Sequence, residues 1–446
     1  MISLKEKKIA VISLGCDKNR VDTEKMLGEI EDFATLTSNA EEAEIIIINT
    51  CAFLASSRKE AIETVIEFNA FRQLGKLEKL VVTGCLPQKF IGDIFDELTE
   101  ADVFLGFLDY DLLKDALMEA YETGNRVNYV NRKKAVENKK RVVTTPLHYA
   151  YLKIADGCNN HCTYCLIPYI RGKYVSTPME DLVKEAEALG DVSELILVAQ
   201  DVTRYGEDLY GKRSLVKLIK ELSALENVLS IRLLYCYPDV LDDELIDEIK
   251  NNPKVIKYID IPLQHADDGI LKLMNRKGNR ESYLELIKKL KKEIPGIAIR
   301  STFIAGFPGE DENSFENLKT FLKEAKLFNA GFFAYSREEG TPAYKLKGQV
   351  QYKVKQKRVK ELYSVQKEIS KHNLATFKGK VLDVLCDGIN YDKQMFEGRA
   401  YFSAPDIDGK VYFTSETNVE QGTRYEVFIE RSDAYDLYGR IYNELT

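Results

Sequence analysis

Short apolar runs alternate with amphipathic, helix-length segments through most of this sequence. Between residues 8 and 110 the apolar runs are KIAVISL, EIIIINT, KLVVTG and DVFLG, and helical patterns such as RVDTEKMLGEIED lie between them. This alternation is typical of a parallel sheet that carries helices on its faces. We therefore predict an α/β, Rossmann-like N-terminal domain over residues 1–145.

A second series of the same kind begins at residue 149. Its six strand candidates are AYLKIAD, ELILVAQ, SIRLLYC, KYIDIPL, IAIRSTFIAG and GFFAYS, and each is separated from the next by an amphipathic segment. Six βα units in a row favour a partial (βα)6 parallel barrel over a closed eightfold barrel. A long polar helix follows at 352–373, so the predicted second domain spans residues 146–373.

The C-terminal segment, residues 374–446, contains short strands separated by glycine and aspartate turns. This pattern predicts a small antiparallel β-barrel as a third domain. Between residues 376 and 446 there are eight Lys or Arg and thirteen Asp or Glu, which gives a net charge of −5. A length of 446 residues is consistent with three domains.

Composition narrows the protein class. A net charge of −8, with 45% hydrophobic and 30% charged residues, indicates a soluble globular protein and not a globally basic nucleic-acid binder. The longest apolar runs are too short to cross a bilayer and the N-terminus reads as a first strand, so we expect a cytoplasmic protein with no membrane partner. A basic segment at 131–146 is predicted to be a linker. Eight cysteines are too few for a disulfide scaffold and favour metal or redox use.

Three of the cysteines, Cys158, Cys162 and Cys165, lie in a loop directly after the first strand of the predicted barrel. A structural zinc ion normally takes four protein ligands, and only His161 is a nearby fourth candidate. Three thiolates hold three irons of a 4Fe-4S cube and leave the fourth iron open to the amino and carboxylate groups of S-adenosylmethionine. Tyr164 either packs beside the adenine of that cofactor or is an ordinary packed loop residue.

Three further cysteines, Cys16, Cys51 and Cys85, each follow a predicted parallel strand immediately. The carboxyl ends of neighbouring parallel strands meet at one edge of a sheet, so these residues are predicted to converge. We interpret them as a second three-thiolate site for a 4Fe-4S cluster, with buried core cysteines as the alternative. Cys236 and Cys386 have no partners at ligand spacing and are predicted to be ordinary thiols.

The cysteine spacing resembles the radical S-adenosylmethionine superfamily. Both cysteine sets and all three predicted domains together resemble its methylthiotransferase branch over essentially the whole chain. The stretches GCDKNRVDTE (15–24), DIPLQHADDGILKLMNR (260–276) and PLHYAYLKIADGCNNHCTYCLIP (146–168) are similar to the RimO-type enzymes, which modify a ribosomal protein. Ala52, Pro87 and Tyr169 depart from the pattern of that branch, but none of them replaces a ligand.

This resemblance implies an enzyme with two 4Fe-4S clusters that face each other and with S-adenosylmethionine as cofactor. It implies insertion of a methylthio group at the β-carbon of an aspartate in the twelfth protein of the small ribosomal subunit, a basic partner met free or on the ribosome. An electron donor and a sulfur source are also implied, and we expect a monomer. The tail resembles a TRAM domain, and its acidity suits a basic protein better than RNA.

The resemblance also suggests residues around S-adenosylmethionine, although it assigns no catalytic residue. Gln200 and Asp201 are expected near its amino group and Arg300 near its carboxylate. A glycine-rich turn at Gly306, Pro308 and Gly309 would allow close approach of the adenosine. Gln264 would reach the ribose or the substrate, and His265 lies either in the substrate pocket or in a structural hydrogen bond. The full set of cofactor-binding candidates is Tyr164, Gln200, Asp201, Gln264, Arg300 and Gly306.

Two alternative functions remain open at the level of sequence. The first is a MiaB-like enzyme that methylthiolates adenosine in transfer RNA, because the basic segments at 131–146 and 352–373 could contact phosphates. The second is a non-catalytic iron-sulfur or zinc binding module. Methylthiolated peptide, methylthiolated nucleoside or no reaction with S-adenosylmethionine would distinguish the three.

Overall fold

The computed structural model describes residues 3–131 and 140–442, which form two compact units. The first unit consists of residues 1–144, 157–159 and 165–173, and the second of residues 145–156, 160–164 and 174–446. Half of the predicted basic linker, residues 132–139, therefore lies outside the described residues. None of the described helices combines the length and the apolar character needed to cross a membrane.

The first unit is built on a six-stranded parallel sheet with the strand order β2-β1-β3-β4-β5-β6. Its strands are β1 (Lys8–Ser13), β2 (Thr35–Leu36), β3 (Ile45–Thr50), β4 (Lys79–Gly84), β5 (Val103–Phe104) and β6 (Val127–Asn128). Its helices are α1 (Asp17–Glu31), α2 (Ala55–Asn69), α3 (Cys85–Glu97), α4 (Leu113–Thr123) and α5 (Ile167–Ile170). The predicted parallel sheet is confirmed, and the short strands β2 and β6 extend it at its two edges.

Burial explains the strand sequences. Every residue of β3 is buried, as expected for a central strand that helices cover on both faces. One apolar layer contains residues such as Ile47 and Leu113, and the layer on the opposite face contains Ile46 and Leu86. Leu166 and Ile170, which follow the second cysteine loop in sequence, pack into the layer of Leu86.

The second unit contains a six-stranded parallel sheet with the order β14-β13-β12-β11-β10-β7, which matches the predicted partial barrel. Its strands, with one small hairpin of β8 and β9, are β7 (Tyr149–Lys153), β8 (Ala155–Asp156), β9 (Val175–Ser176), β10 (Glu194–Val198), β11 (Ile231–Leu233), β12 (Val255–Asp260), β13 (Ala298–Ala305) and β14 (Asn329–Ala334). Its helices are α6 (Met179–Ala188), α7 (Glu207–Tyr210), α8 (Leu215–Ser223), α9 (Asp243–Asn251), α10 (Asp268–Leu273), α11 (Arg280–Glu293), α12 (Glu312–Ala325) and α13 (Tyr352–Ala375).

The C-terminal strands close into a five-stranded barrel with the order β15-β16-β17-β19-β18. They are β15 (Val381–Asn390), β16 (Met395–Arg399), β17 (Val411–Thr414), β18 (Arg424–Ser432) and β19 (Leu437–Ile441). Four of the pairings are antiparallel, as the sequence predicted, but β17 and β19 pair in parallel. The parallel pair closes the barrel, because β18 reverses the chain before β19 returns beside β17.

A buried ionic cluster joins this small barrel to the amino-terminal ends of the parallel strands. Glu194, the first residue of β10, accepts hydrogen bonds from Arg232 Nε at 2.5 Å and from Arg399 Nη1 at 2.6 Å. Arg399 also donates from Nε to Asp387, and His148 Nε2 lies 2.9 Å from the same carboxylate. We call these five residues the Glu194 cluster. It fixes the C-terminal barrel at the end of the parallel barrel that lies opposite the strands' carboxyl termini.

A second contact of the C-terminal barrel extends into the interior of the parallel barrel. Asp408 lies in the turn between β16 and β17, and its side chain is only 3% exposed. It accepts a hydrogen bond from Tyr258 Oη at 2.7 Å and lies 3.4 Å from Arg300 Nε. Arg232 donates to the carbonyl of Tyr401 in the same turn. This turn therefore covers the amino-terminal end of the parallel barrel. The carboxyl-terminal ends of the strands lie on the opposite side, away from this turn.

The Glu194 cluster makes stability depend on pH. Burial alone would raise the pKa of Glu194 from its ordinary 4.5, but the charges of Arg232 and Arg399 outweigh it and hold the pKa at about 2. A carboxyl whose pKa is lowered by folding stabilises the protein above its unfolded pKa, and this stabilisation is lost as the pH falls through the folded value. The relevant window therefore runs from about pH 4.5 down to about pH 2.

We predict that Glu194→Gln lowers the free energy of unfolding of the iron-free protein at pH 7 by about 3 kcal/mol, because two buried arginines lose their anion. The difference between wild type and variant should narrow towards pH 2, where wild-type Glu194 is also neutral. Urea unfolding followed by circular dichroism measures both quantities. Glu430→Gln, in an exposed pair with Arg440, is the control and should change stability by less than about 1 kcal/mol. A difference that does not depend on pH would contradict this explanation.

Candidate functional site

The three strand-end cysteines of the first unit are brought together by the register of the sheet. Asn49 pairs with both Ser13 and Thr83, so β1, β3 and β4 end level with one another. Cys51 and Cys85 are the first residues after β3 and β4, and Cys16 caps the amino terminus of α1. Each cysteine thus lies at a turn from strand to helix on the same sheet edge, as the sequence predicted.

Gly15 shows how closely the first two turns approach. Its φ of +94° is in the region that favours glycine, and a Cβ placed there would lie 2.7 Å from Cβ and 3.2 Å from Sγ of Cys51. Any larger residue would push the Cys51 side chain away. The glycine before Cys16 is therefore required by the packing of the two cysteine turns.

Asn19 links all three turns. Its Nδ2 donates to the carbonyls of Leu14 and Thr50 at 3.0 Å each, and its Oδ1 lies 3.7 Å from Cys85 Sγ. These contacts link the backbone just before Cys16 and just before Cys51 to the side chain of Cys85. The sequence analysis missed Asn19, although it lies inside the quoted motif GCDKNRVDTE.

Arg171 brings a positive charge to the same edge from the segment that follows Cys165. Its Nη2 donates to Asn19 Oδ1 at 2.6 Å and to Asp22 Oδ2 at 2.9 Å, and it lies 3.5 Å from Cys85 Sγ. The guanidinium also stacks over the ring of Phe107 at 4.6 Å. Within the first unit, the chain next to one cysteine set therefore contacts a cysteine of the other set. Sequence analysis missed this residue as well, because the contact spans more than 80 positions.

The thiols of this group also affect one another electrostatically. Burial, the largest cause, raises the pKa of Cys85 to about 12, Arg171 opposes the rise, and Cys51 and Cys16 add to it. Burial likewise raises the pKa of Cys51, and Cys16 contributes in the same direction. Each of these thiols is thus within electrostatic range of another thiol of the group, and any metal that they bind must displace protons from them.

A cluster and a single metal ion make different demands on three thiols. Within the described residues, no three Cys, His, Asp or Glu side chains are close enough to hold one metal ion together. Around one zinc ion, bond lengths of about 2.3 Å would place two sulfurs only about 3.8 Å apart. In a 4Fe-4S cube each thiolate binds a different iron, so the sulfurs stand farther apart. The cluster interpretation of Cys16, Cys51 and Cys85 stays a prediction.

The second cysteine set divides between the units: Cys158 and Cys165 group with the first, and Cys162 with the second. Within the second unit, Cys162 Sγ lies 3.5 Å from Tyr237 Oη and 3.8 Å from Arg276 Nη1. The Arg276 guanidinium stacks on the Tyr237 ring at 3.9 Å and donates to the carbonyl of Pro262 at 2.5 Å. A buried donor pair therefore surrounds this sulfur.

Asp201 holds the cysteine loop. Its buried carboxylate accepts from Asn160 Nδ2 at 2.8 Å and from Thr203, and it lies 3.2 Å from Arg204 Nε. Asn160 lies between the first two cysteines of the loop, so this bond positions the loop on β10. The contact with S-adenosylmethionine that the resemblance suggested for Asp201 stays a prediction, and its observed contacts are to the protein.

Gln200 and two other residues carry buried polar atoms that lack a hydrogen-bond partner. These atoms are Gln200 Oε1, Arg276 Nε and Tyr335 Oη. Tyr335 is the first residue after β14 and Gln200 the second residue after β10, at the carboxyl ends of the strands, where parallel barrels place their chemistry. Such unpaired atoms fit a polar ligand at this end of the barrel.

Arg300 is already held by acidic groups. Its Nη1 donates to Asp260 at 2.9 Å and to Thr302 at 3.2 Å, while its Nε faces Asp408. Its Nη2 donates no hydrogen bond to any described residue. Arg300 thus retains one nitrogen for a carboxylate, but it also anchors the turn of the C-terminal barrel.

The remaining predicted residues lie around Glu310. His265 is fully buried, accepts from the backbone of Asp267 through Nδ1, and lies 3.2 Å from Glu310 through Nε2. These contacts fit its structural alternative, and its placement in the substrate pocket stays a prediction. Glu310 also accepts from Arg358 at 2.8 Å and from the backbone of Gly306 at 2.9 Å.

Gly306 and Gln264 both adopt positive φ angles, of +74° and +73°. A Cβ at Gly306 would lie 2.4 Å from Lys355 Cγ, so the observed close approach there is with α13. Gln264 pairs through its backbone with Thr302 and Ile304, which leaves it at the carboxyl end of the sheet. Tyr164 packs in an apolar cluster with Phe307, with ring centroids 6.5 Å apart. Cys236 and Cys386 are both buried, and their interpretation as ordinary thiols stays a prediction.

Three family models match the chain. Residues 8–106 match "Uncharacterized protein family UPF0004", residues 152–322 match the radical SAM superfamily, and residues 379–441 match the TRAM domain. These ranges cover most of the parallel sheet of the first unit, most of the partial barrel and the closed five-stranded barrel. The predicted architecture is confirmed by this agreement.

Curated relatives match over nearly the whole chain. A protein of Clostridium botulinum (strain Okra / Type B1), named "Ribosomal protein uS12 methylthiotransferase RimO", is 44% identical over 98% of this chain and 99% of its own length. A protein of the same name from Acetivibrio thermocellus is 46% identical, also over 98% and 99%. The chain belongs to the RimO family. The predicted resemblance is thus confirmed, and a RimO-family chain is an enzyme of the transferase class.

Solved structures agree with the fold of this RimO-family chain. The radical S-adenosylmethionine methyltransferase TsrM from Kitasatospora setae, with cobalamin and a [4Fe-4S] cluster bound, has a TM-score of 0.55 and 14% identity, covering 76% of this chain and 77% of its own. The same enzyme with tryptophan and an analogue of S-adenosylmethionine bound gives a TM-score of 0.54. At this identity the likeness concerns the fold.

We predict that Arg171→Met destabilises the first unit of the iron-free protein by about 3 kcal/mol, because the buried ion pair with Asp22 and the hydrogen bond to Asn19 are lost. Arg171→Lys keeps the charge but loses the planar fork, so it should cost less. Hydrogen exchange of peptides from β1, β3 and β4, followed by mass spectrometry, measures this opening free energy. Lys173→Met, at an exposed position in the same segment, is the control. Equal protection in Arg171→Met and Lys173→Met would contradict the assigned role.

Proposed function

We propose that this chain inserts a methylthio group at the β-carbon of an aspartate of ribosomal protein uS12 by radical S-adenosylmethionine chemistry. The observation that carries the proposal is the 44–46% identity to curated uS12 methylthiotransferases across 98% of the chain. The match covers 98% of the chain and so extends over the segments that carry both cysteine sets and the C-terminal barrel. It favours the ribosomal protein over transfer RNA, and an enzyme over a passive binding module.

Two cysteine sets would hold two 4Fe-4S clusters. Cys158, Cys162 and Cys165 are proposed to hold the cluster that binds S-adenosylmethionine, and Cys16, Cys51 and Cys85 the auxiliary cluster. When bound, these groups supply the electron that cleaves S-adenosylmethionine and the open iron site that carries sulfur. An outside electron donor and an outside sulfur source complete the reaction, since the chain itself replenishes neither.

The protein's own residues position these ligands. Asn19 ties the three strand-end turns together, and Arg171 places a positive charge beside Cys85. Arg276 and Tyr237 are positioned to donate to the Cys162 thiolate, and the Asp201–Asn160 hydrogen bond fixes the loop between the cysteines. Hydrogen bonds and positive charge at a thiolate stabilise the more negative state of a cluster.

For S-adenosylmethionine we propose the carboxyl end of the partial barrel. Gln200 Oε1 is a buried acceptor without a partner, suited to an ammonium group, and Arg300 Nη2 is a free donor suited to a carboxylate. Tyr164 supplies an aromatic surface beside Phe307. Gln264 and the backbone near Gly306 stay candidates for the ribose and adenine, and Asp201 acts through the loop that it holds.

Charge supports the choice of partner. The C-terminal segment has a net charge of −5 between residues 376 and 446, which is unfavourable for a phosphate backbone and favourable for a basic ribosomal protein. We propose that the enzyme works as a cytoplasmic monomer on this partner.

The direct test is reconstitution of the protein with iron and sulfide under anaerobic conditions, followed by incubation with S-adenosylmethionine, a reductant and purified uS12. The expected result is a mass increase of uS12 by CH2S, since a hydrogen is replaced by SCH3, localised to one aspartate by fragmentation. Transfer RNA incubated in parallel should yield no methylthio-nucleoside. A methylthio-nucleoside without modified uS12 would contradict the proposal.

The two cysteine sets make a separate quantitative prediction. Cys16→Ala and Cys158→Ala should each remove about half of the bound iron, because each breaks one of two equal clusters. Iron and sulfide analysis of the reconstituted proteins measures this. Cys236→Ala, at a buried thiol outside both sets, should keep the full iron content. Complete loss of iron from Cys16→Ala alone, or no loss, would rule out two independent clusters.

A further inference from the structure

The solvent face of α13 carries a row of five lysines. Lys353, Lys357, Lys360, Lys367 and Lys371 are all exposed and follow one another at spacings of three, four or seven residues. Such spacings place side chains on one face of a helix. We call these five residues the lysine row. With a rise of about 1.5 Å per residue, the row is about 27 Å long.

The opposite face of α13 packs against the parallel barrel. Leu362, Gln366, Ser370 and Leu374 are buried against the barrel. The helix's other two basic residues in its first two turns, Lys355 and Arg358, are also buried, and they donate to Tyr335 and Glu310. The lysine row is therefore separate from the cations that hold the helix in place.

Little within the described part of the chain neutralises the row. Glu361 lies 3.8 Å from Lys357, which remains 78% exposed, and it is also shared with Lys319 at 3.3 Å. Ser364 is the neutral member of the same stripe, and the two acidic residues of α13, Glu361 and the exposed Glu368, lie along one side of it, so the five lysines outnumber them. In a chain with a net charge of −8, keeping five lysines along one edge concentrates positive potential there.

The shape and charge of the row match a nucleic-acid backbone. Successive phosphates of one strand are about 3.4 Å apart, so a row of this length faces about eight phosphates. Tyr352, 73% exposed, lies at the start of the row and offers a ring on which a base can stack. The C-terminal segment has a net charge of −5, so the two parts of the second unit differ in charge and in the partners that they suit.

We propose that the lysine row binds an RNA phosphate backbone, so that the enzyme meets its protein substrate next to RNA in a ribosomal particle. This inference rests on the proposed function only in naming that particle; the RNA contact itself follows from the row. The contact is electrostatic and independent of sequence, because lysine ammonium groups read phosphates and not bases. The row thus adds affinity for the particle, while the acidic barrel faces the basic protein.

Binding of the full-length protein to a fluorescent single-stranded RNA, measured by anisotropy at several salt concentrations, tests the proposal. Five phosphate contacts predict a slope of log K against log salt of about −3.5, and the triple variant Lys353→Gln, Lys357→Gln, Lys360→Gln should reduce it to about −1.4. Lys217→Gln, Lys288→Gln, Lys292→Gln removes the same charge from exposed positions elsewhere and should keep the wild-type slope. Equal slopes for the two triple variants, or equal binding of poly-glutamate, would overturn the proposal.

An activity comparison separates this proposal from the proposed function. The lysine-row variant should methylthiolate isolated uS12 at the wild-type rate, but assembled small subunits at least tenfold more slowly at physiological salt. Equal rates of wild type and variant on assembled subunits would overturn the docking role. Inactivity of the wild-type protein on both substrates would instead contradict the proposed function and leave the RNA-binding result to stand on its own measurement.

Discussion

The level ending of β1, β3 and β4 is the constraint on which the auxiliary site depends. Because the three parallel strands share a register, their following residues must emerge at one edge. The sequence uses this edge for three cysteines and then secures it with polar contacts from Asn19 and Arg171. A sheet with one strand shifted by two residues would separate the sulfurs by about 7 Å along the strand direction. No loop contact could restore the site after such a shift.

In the second unit, contacts between the C-terminal barrel and the partial barrel determine which end of the strands is covered. The Glu194 cluster and the turn that carries Asp408 fix the C-terminal barrel against the amino-terminal end of the partial barrel. The C-terminal barrel therefore covers that end of the strands. Polar atoms without partners, such as Gln200 Oε1 and Tyr335 Oη, remain at the opposite end. Stabilising contacts and candidate binding groups are therefore separated to the two ends of the same strands, as is general for parallel barrels.

Much of this arrangement could be predicted because it depends on local patterns. Continuous apolar runs such as Ile45–Thr50 identify buried parallel strands, and a cysteine directly after each strand places the sulfurs without knowledge of side-chain contacts. The residues that were missed act across long sequence separations. Arg171 contacts Cys85, and Arg399 contacts Glu194 about 200 residues away. Neither position differs locally from an ordinary charged surface residue.

The roles of His265 and Arg300 could not be predicted from the sequence, because they depend on which nearby side chains bind these two residues. His265 could be structural or could line a pocket, and the contacts with Glu310 and Asp267 fit the structural alternative. Arg300 has a charge suited to a carboxylate, but the sequence cannot show that Asp260 and Asp408 already bind it. The parallel pairing of β17 with β19 depends on closure of a whole barrel and leaves no local signature.

The most direct test of the central claim is the product pattern of a variant in which Cys16, Cys51 and Cys85 are all replaced by alanine. If these residues hold a separate sulfur-carrying cluster, the variant should still convert S-adenosylmethionine to 5′-deoxyadenosine but should form no methylthiolated uS12. Continued formation of methylthiolated uS12 by that variant would contradict the account.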